Sequence, residues 1–214
     1  MKGILVLFVL TALSLSAKSQ TKFDIFAGPQ ATTASYSIAG IKQPTQSKFG
    51  FLAGFGCKIP FESHLFFSPA AFYSLKGYKV QFNRYTFPPD TTAVDNNTTI
   101  HTFELAFLLQ FDFGKQPSHV FLKLGPSLDF QLIGKERFNL KAGGTVDQSM
   151  NYDFTAYGHY SANMLLQLGY EMAGGFTIAG QYTLGLANLS NADNGPTIKH
   201  RAYGITVGKY FNKK

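Results

Sequence analysis

Hydrophobic and polar positions alternate along most of this chain, most plainly in the stretch FELAFLLQFDFG from 103 to 114. There Phe103, Leu105, Phe107, Leu109, Phe111 and Phe113 interleave with Glu104, Ala106, Leu108, Gln110 and Asp112. A period of two puts these sets on opposite faces of a β-strand. The same pattern predicts eight strands, at about 22–32, 48–59, 64–78, 99–113, 119–133, 157–172, 175–187 and 201–212. The connections between them run long, short, long, short, long, short, long. The long ones are 33–47, 79–98, 134–156 and 188–200, and the short ones, 60–63, 114–118 and 173–174, carry Gly, Pro or Ser suited to tight turns. In an up-and-down arrangement every long loop falls at one end and every short turn at the other, with both chain termini on the short-turn side.

One face of these strands is bulky and apolar: Phe49, Phe51 and Phe55; Leu65, Phe67, Tyr73 and Leu75; Val120, Leu122, Leu124, Leu128, Phe130 and Leu132; Met164, Leu166 and Leu168; Ile178, Tyr182 and Leu184; Tyr203, Ile205 and Val207. The other is small, rich in Gly, Ala, Ser and Thr, with separate charges at Asp24, Lys58, Lys76, Glu104, Asp112, Lys123, Asp129 and Glu171. An eight-stranded barrel has an interior just wide enough for side chains to fill, so the bulky set must point outward. A solvated sandwich exterior would use more Lys and Glu, and fewer glycines, to block edge pairing. The pattern therefore predicts an all-β fold: an eight-stranded antiparallel up-and-down transmembrane β-barrel, apolar outside. Hydrocarbon supplies no partner for an open sheet edge, which makes closure obligatory. An aromatic near the short-turn end of each strand (Phe23, Phe61, Phe66, Phe113, Phe121, Tyr170, Phe176, Phe211) predicts an interfacial girdle. Pro29, Pro69 and Pro126 fall inside strands, where bulges are expected to accommodate them.

Composition agrees with this. The 214 residues are 45% hydrophobic and only 14% charged, against roughly 25% in soluble chains. Residues 1–19 read as a cleaved secretory signal peptide: Lys2, an apolar stretch from Ile4 to Leu13, and small residues Ala17 and Ser19 before the cut. Residues 20–214 form the barrel domain. Without Lys2 and Lys18 the formal net charge falls from +7 to +5. The remaining basic residues are scattered rather than clustered along a groove, which excludes a nucleic-acid partner. Cys57 is the single cysteine, so no disulfide framework or CxxC site exists, and its neighbours place it on the outer face.

At this point the sequence resembles a known family, the small outer-membrane β-barrel proteins described as porin-family or PorT-like, over nearly the whole mature chain. The resemblance rests on Gly28-Pro29, FELAFLLQFDF, LKLGPSLDF at 122–130, QYTLGLANLS at 181–190 and the closing AYGITVGKYF. Ala106 stands where the family commonly has Pro, and Asn212-Lys213-Lys214 follow the last aromatic. The resemblance implies an eight-stranded barrel in the outer membrane of a bacterium, usually without a defined biochemical activity.

Candidate chemistry is sparse, and no catalytic, metal or cofactor-binding residue is assigned. The histidines His64, His101, His119, His159 and His200 read as loop or rim residues. Glu104, the near neighbour of His101, falls on the opposite strand face and cannot share an ion with it. His159 and Ser161 are two apart, share a predicted strand face, and look like the His-x-Ser of outer-membrane lipid A deacylases. Glu171, the acid on that face, would lie roughly 33 Å along the strand, too far to complete a triad. Glu104, Asp112, Asp129 and Glu171 are expected either to pair with Lys58, Lys76 and Lys123 into a plug or to line a narrow water path, and the diameter favours the plug. The expected role is a structural or loop-mediated one, not enzymatic and not a general diffusion pore. Its partners would be outer-membrane lipid and, through loops 79–98 and 134–156, a protein or surface ligand. The alternatives are a soluble periplasmic, lipocalin-like ligand-binding barrel with an apolar interior and, less favoured, a lipid A deacylase-like membrane enzyme using His159 and Ser161.

Overall fold

The computed structural model describes residues 21–83 and 92–212. The predicted signal peptide lies outside them. Among the described residues ten strands form one antiparallel sheet: β1 (Lys22–Ile38), β2 (Ile41–Gln43), β3 (Thr45–Glu62), β4 (Leu65–Gln81), β5 (Ala93–Phe113), β6 (His119–Leu140), β7 (Thr145–Ser149), β8 (Tyr160–Glu171), β9 (Phe176–Gly185) and β10 (Thr197–Asn212). Eight of them follow one another around a ring, and β10 pairs back onto β1 from Lys22↔Asn212 to Ser37↔Thr197, which closes the barrel. β2 and β7 are short additions, β2 folding back on β1 and β7 on β6.

The alternation of FELAFLLQFDFG decides the orientation. Phe103, Phe107, Leu109, Phe111 and Phe113 are exposed on the outer wall, while Glu104, Ala106, Leu108, Gln110 and Asp112 are buried in the lumen. Cys57 lies on the outer face between exposed Phe55 and Phe61. Two of the eight expected girdle aromatics point the other way. Phe121 is 2% exposed inside the barrel, and the Phe66 ring lies 4.4 Å from the Lys58 ammonium. Inside a narrow tube a ring fills space beside the ionic groups, so these two belong to the filling and not to the girdle.

The prolines need no bulges. Pairing of β1 with both β3 and β10 keeps one register on either side of Pro29, and β6 does so past Pro126. The glycines preceding them explain how. A Cβ on Gly28 would overlap the Ile205 carbonyl oxygen, and one on Gly125 the Phe107 carbonyl oxygen. A side chain at either glycine would therefore press on the neighbouring strand's backbone, and glycine lets the strands close up beside the prolines. Pro69 likewise sits in an unshifted register with β5. The true irregularities fall elsewhere: between Ser47 and Leu52, near Glu62, near Val94, and at Leu132–Ile133, where two consecutive residues are both exposed.

That last bulge accounts for the main misreading of strand length. Beyond it β6 continues for seven residues with the opposite parity, Glu136 and Phe138 inward and Lys135 and Arg137 outward. Parts of the predicted loops 33–47, 79–98 and 134–156 are likewise ladder among the described residues. The first is a hairpin turned at Ala39 and Gly40, both at positive φ (48° and 78°), as a two-residue type I′ turn requires. In the second, β4 runs to Gln81 and β5 resumes at Ala93, with Val80 opposite Asn96. The third holds the β6–β7 hairpin, turned at Gly143 and Gly144. Polar Asn and Thr on both faces hid these extensions, because a ladder standing in water has no reason to alternate.

Candidate functional site

The lumen is filled in layers. Nearest the loop end an apolar cluster of Tyr36, Ile38, Tyr78, Val80, Ile100, Met150, Leu189 and Ile198 closes the bore, backed by Tyr152 and Tyr157. Glu136 is buried beside it and accepts hydrogen bonds from Asn96 Nδ2 (2.7 Å), Tyr157 OH (2.9 Å) and Gln148 Nε2 (3.0 Å). Below lies an ionic layer in which Lys76 Nζ stands 2.7 Å from both Glu104 Oε1 and Asp129 Oδ2. A second apolar layer follows, made by Leu52, Phe72, Ala106, Leu108 and Leu165. A cavity there, lined by Asp24, Phe121 and Lys123 among others, measures about 20 Å³, room for about one water molecule.

At the short-turn end is the densest chemistry. Lys58 Nζ lies 2.5 Å from Asp112 Oδ2 and 2.8 Å from Glu171 Oε2, and Lys22 Nζ lies 2.8 Å from Glu171 Oε1. The Tyr210 ring has three ammonium groups within 6 Å of its centre: Lys22 at 5.8 Å, Lys58 at 5.6 Å and Lys123 at 5.7 Å. Each would be attracted to the ring face. Tyr210 OH also donates to Gln110 Oε1 at 3.2 Å. A ring nitrogen of His119 and carboxylate oxygens of Asp112 and Glu171 lie within 4.8 Å of one another, the one arrangement among the described residues with three groups placed to hold a metal. A cleft of about 430 Å³ opens from this cluster past Lys22, His64 and Lys115.

The expected plug is thus present, with one exception: Lys123 makes no ion pair among the described residues and instead faces the Tyr210 and Phe121 rings. The interior is packed with alternating apolar and ionic layers, not the open apolar cavity of a lipocalin-like binder. His101 and Glu104 do occupy opposite faces; His101 Nδ1 is 2.6 Å from Tyr73 OH on the outer wall, while Glu104 is buried. His159 and Ser161 are not brought together. β8 begins only at Tyr160, His159 is exposed beside Tyr152, and Ser161 is buried with Oγ 3.4 Å from Asp129 Oδ2. Nor are all the histidines at the rim. His200 is buried against Tyr78, ring centres 5.7 Å apart, whereas His119 is at the short-turn rim but inside the ionic cluster. Its acid partners come from β5 and β8, and only the register between strands brings them near. A parity argument within one strand has no means of seeing this.

A closed eight-stranded ring with an apolar outer wall and an ionic filling defines a transmembrane β-barrel of the bacterial outer-membrane type. The sequence matches the outer membrane protein beta-barrel domain family over residues 19–191, and the chain belongs to that family. Its place is the outer membrane of a bacterium. Among solved structures it is similar to the outer membrane protein OprG of Pseudomonas aeruginosa, at 13% identity and TM-score 0.53, covering 90% of this chain and 96% of that one. It is also similar to Ail, the attachment invasion locus protein of Yersinia pestis, solved in complex with the heparin analogue sucrose octasulfate. There the identity is 14% and the TM-score 0.46, over 90% of this chain and 99% of that one. Neisserial surface protein A matches at 14% identity and TM-score 0.44, over 91% and 100% of the two chains. Among curated protein sequences none matches.

Proposed function

We infer that the protein serves as a closed, non-enzymatic outer-membrane scaffold that carries a rigid loop-end surface, and not as a diffusion pore. The observation that carries this is the filled bore: two apolar and two ionic layers alternate along it, and the cavity between them holds about 20 Å³. Moving ions through such a stack means breaking buried ion pairs, which costs several kcal/mol for each charge left uncompensated.

The loop end supports the interaction half of the reading. Strand pairing continues well past the predicted strand ends, so backbone ladders hold part of this surface. On its outer side Asn97, Thr99, Lys135, Arg137, Asp147 and Ser149 line a groove of about 480 Å³. Polar groups on a rigid frame are the usual setting for recognition, and a protein or surface ligand is the partner this would suit. Outer-membrane lipid would cover the apolar wall below.

The test is electrical. The purified full-length mature barrel, inserted into planar bilayers, is expected to give no sustained large conductance steps. Stable open-channel currents of porin size would overturn the reading.

A further inference from the structure

We propose that Asp112, His119 and Glu171 form a binding site for a divalent transition-metal ion at the short-turn mouth of the barrel. The argument starts from one hydrogen bond. His119 Nδ1 lies 3.0 Å from the Gln116 carbonyl oxygen, which can only accept, so Nδ1 carries the hydrogen. In the neutral ring the lone pair is then on Nε2. That nitrogen has no hydrogen-bond partner, although the side chain is only 9% exposed, and it faces Asp112 Oδ2 at 3.0 Å and Glu171 Oε2 at 3.4 Å. A lone pair aimed at two carboxylate oxygens repels them, so this position calls for a cation between the three atoms, either a proton on Nε2 or a metal ion, and the zinc titration below separates the two.

The spacing fits a metal. Ligands bound at 2.0–2.1 Å in a tetrahedral zinc site are separated by roughly 3.3 Å, close to both separations here. Each ligand is also held from behind, as metal ligands commonly are. Gln116 holds the imidazole; Gln110 Nε2 donates to Asp112 Oδ1 at 2.7 Å; and Lys22 holds Glu171 Oε1 at 2.8 Å. One imidazole and two carboxylates favour zinc and its borderline neighbours over calcium or magnesium, which want oxygen alone. Three protein ligands leave a fourth position, and the 430 Å³ cleft that Asp112 and His119 line gives an ion its way in.

Lys58 is the competitor. Its ammonium rests on the same two oxygens, Asp112 Oδ2 and Glu171 Oε2, so part of their charge is already neutralised. This makes the metal's behaviour distinctive: removing Lys58 strengthens metal binding, whereas a purely ionic plug would gain nothing from losing its cation.

The experiment titrates zinc chloride into the untagged, folded mature barrel in detergent micelles and follows the heat of binding. One equivalent is expected to bind. His119→Gln is expected to weaken it at least about tenfold, in line with loss of a ligand or its support, and Lys58→Met to tighten it by about the same factor. His159→Gln, at the opposite end, leaves it unchanged. Cobalt(II) gives a second readout in which the visible absorption of the bound ion disappears in His119→Gln. The heat-shifted gel mobility of each variant verifies that it is folded. Absence of saturable binding at one equivalent, indifference to His119→Gln, or weaker binding by Lys58→Met would each overturn the site.

Discussion

Lys76 on β4 reaches across the barrel interior to Asp129 on β6, Nζ to Oδ2 2.7 Å, passing the intervening strand β5, whose Glu104 it also contacts at 2.7 Å. One ammonium thus ties three neighbouring strands together beneath the loop-end apolar cluster. All three side chains are at most 3% exposed. Removing one partner of such a cluster strands the others as buried charges, at a cost of about 3–5 kcal/mol. Lys76→Met is therefore expected to lower the unfolding free energy in lipid vesicles by about that amount. The triple variant Lys76→Met, Glu104→Gln, Asp129→Asn, which removes all the charge at similar volume, should recover most of the loss. Denaturant titration followed by the heat-shifted gel band measures both.

How much of this was open to reading from the residues depends on the range of the interaction. Orientation is local: each strand announces its wall face by parity, and Phe107 against Glu104 needs no knowledge of a neighbour. The identity of the lumen charges is local too, and Lys58, Lys76, Glu104, Asp112, Asp129 and Glu171 all lie where alternation puts them. Their partners are not local. Lys58 meets Glu171 across 113 residues of sequence, and only strand order and register bring them together. Parity also fails at a bulge, where one added residue exchanges the two faces, as it does at Leu132–Ile133. Inward aromatics such as Phe72, Phe121 and Tyr210 are not legible in this way, because a ring by itself suits wall, girdle or bore alike, and a tightly packed bore must be filled by something large.

The outer wall gives a depth-dependent test of orientation. Leu166, in the middle of β8, is exposed on the wall. Val94, at the loop end of β5, is exposed as well. An arginine on the lipid face costs about 2–4 kcal/mol at the bilayer midplane and about 0–1 near an interface. Leu166→Arg is expected to fall in the first range and Val94→Arg in the second, by unfolding in vesicles. Equal costs at the two positions would contradict the depth assigned here.

At the closing seam, Gly28 is required by contact and not by φ. A methyl group there would overlap the Ile205 carbonyl oxygen of β10. Backbone cannot yield as a side-chain tip can, so Gly28→Ala is expected to cost about 1–3 kcal/mol, the range for overpacking. The loss should appear as a lower temperature for disappearance of the folded gel band, because the β1–β10 pairing closes the ring. Gly180, whose Cβ would meet nothing within 4 Å, is the matched control, and Gly180→Ala should leave that temperature unchanged.

The loop-end hairpin supplies a pH test. Arg137 Nε lies 2.6 Å from Asp147 Oδ1, and Nη2 2.8 Å from Oδ2, a paired contact joining β6 to β7 in water. The hydrogen bonds from Arg137 hold the Asp147 carboxyl below its ordinary 3.8, outweighing the opposing desolvation. A carboxyl with a folded pKa lower than its unfolded one contributes stability that is fully present above the unfolded value and is lost as pH falls through the folded one. The hairpin is thus expected to hold from neutral pH down to about pH 4 and to loosen below it. Because both groups are exposed, solvent screening keeps the effect local. Backbone amide exchange in β7 should quicken on acidification while exchange in β5 does not change, and Arg137→Gln should move the Asp147 titration, followed by carboxyl carbon NMR, back up to the ordinary value. Unchanged titration in that variant would mean that the guanidinium is not what holds the carboxylate.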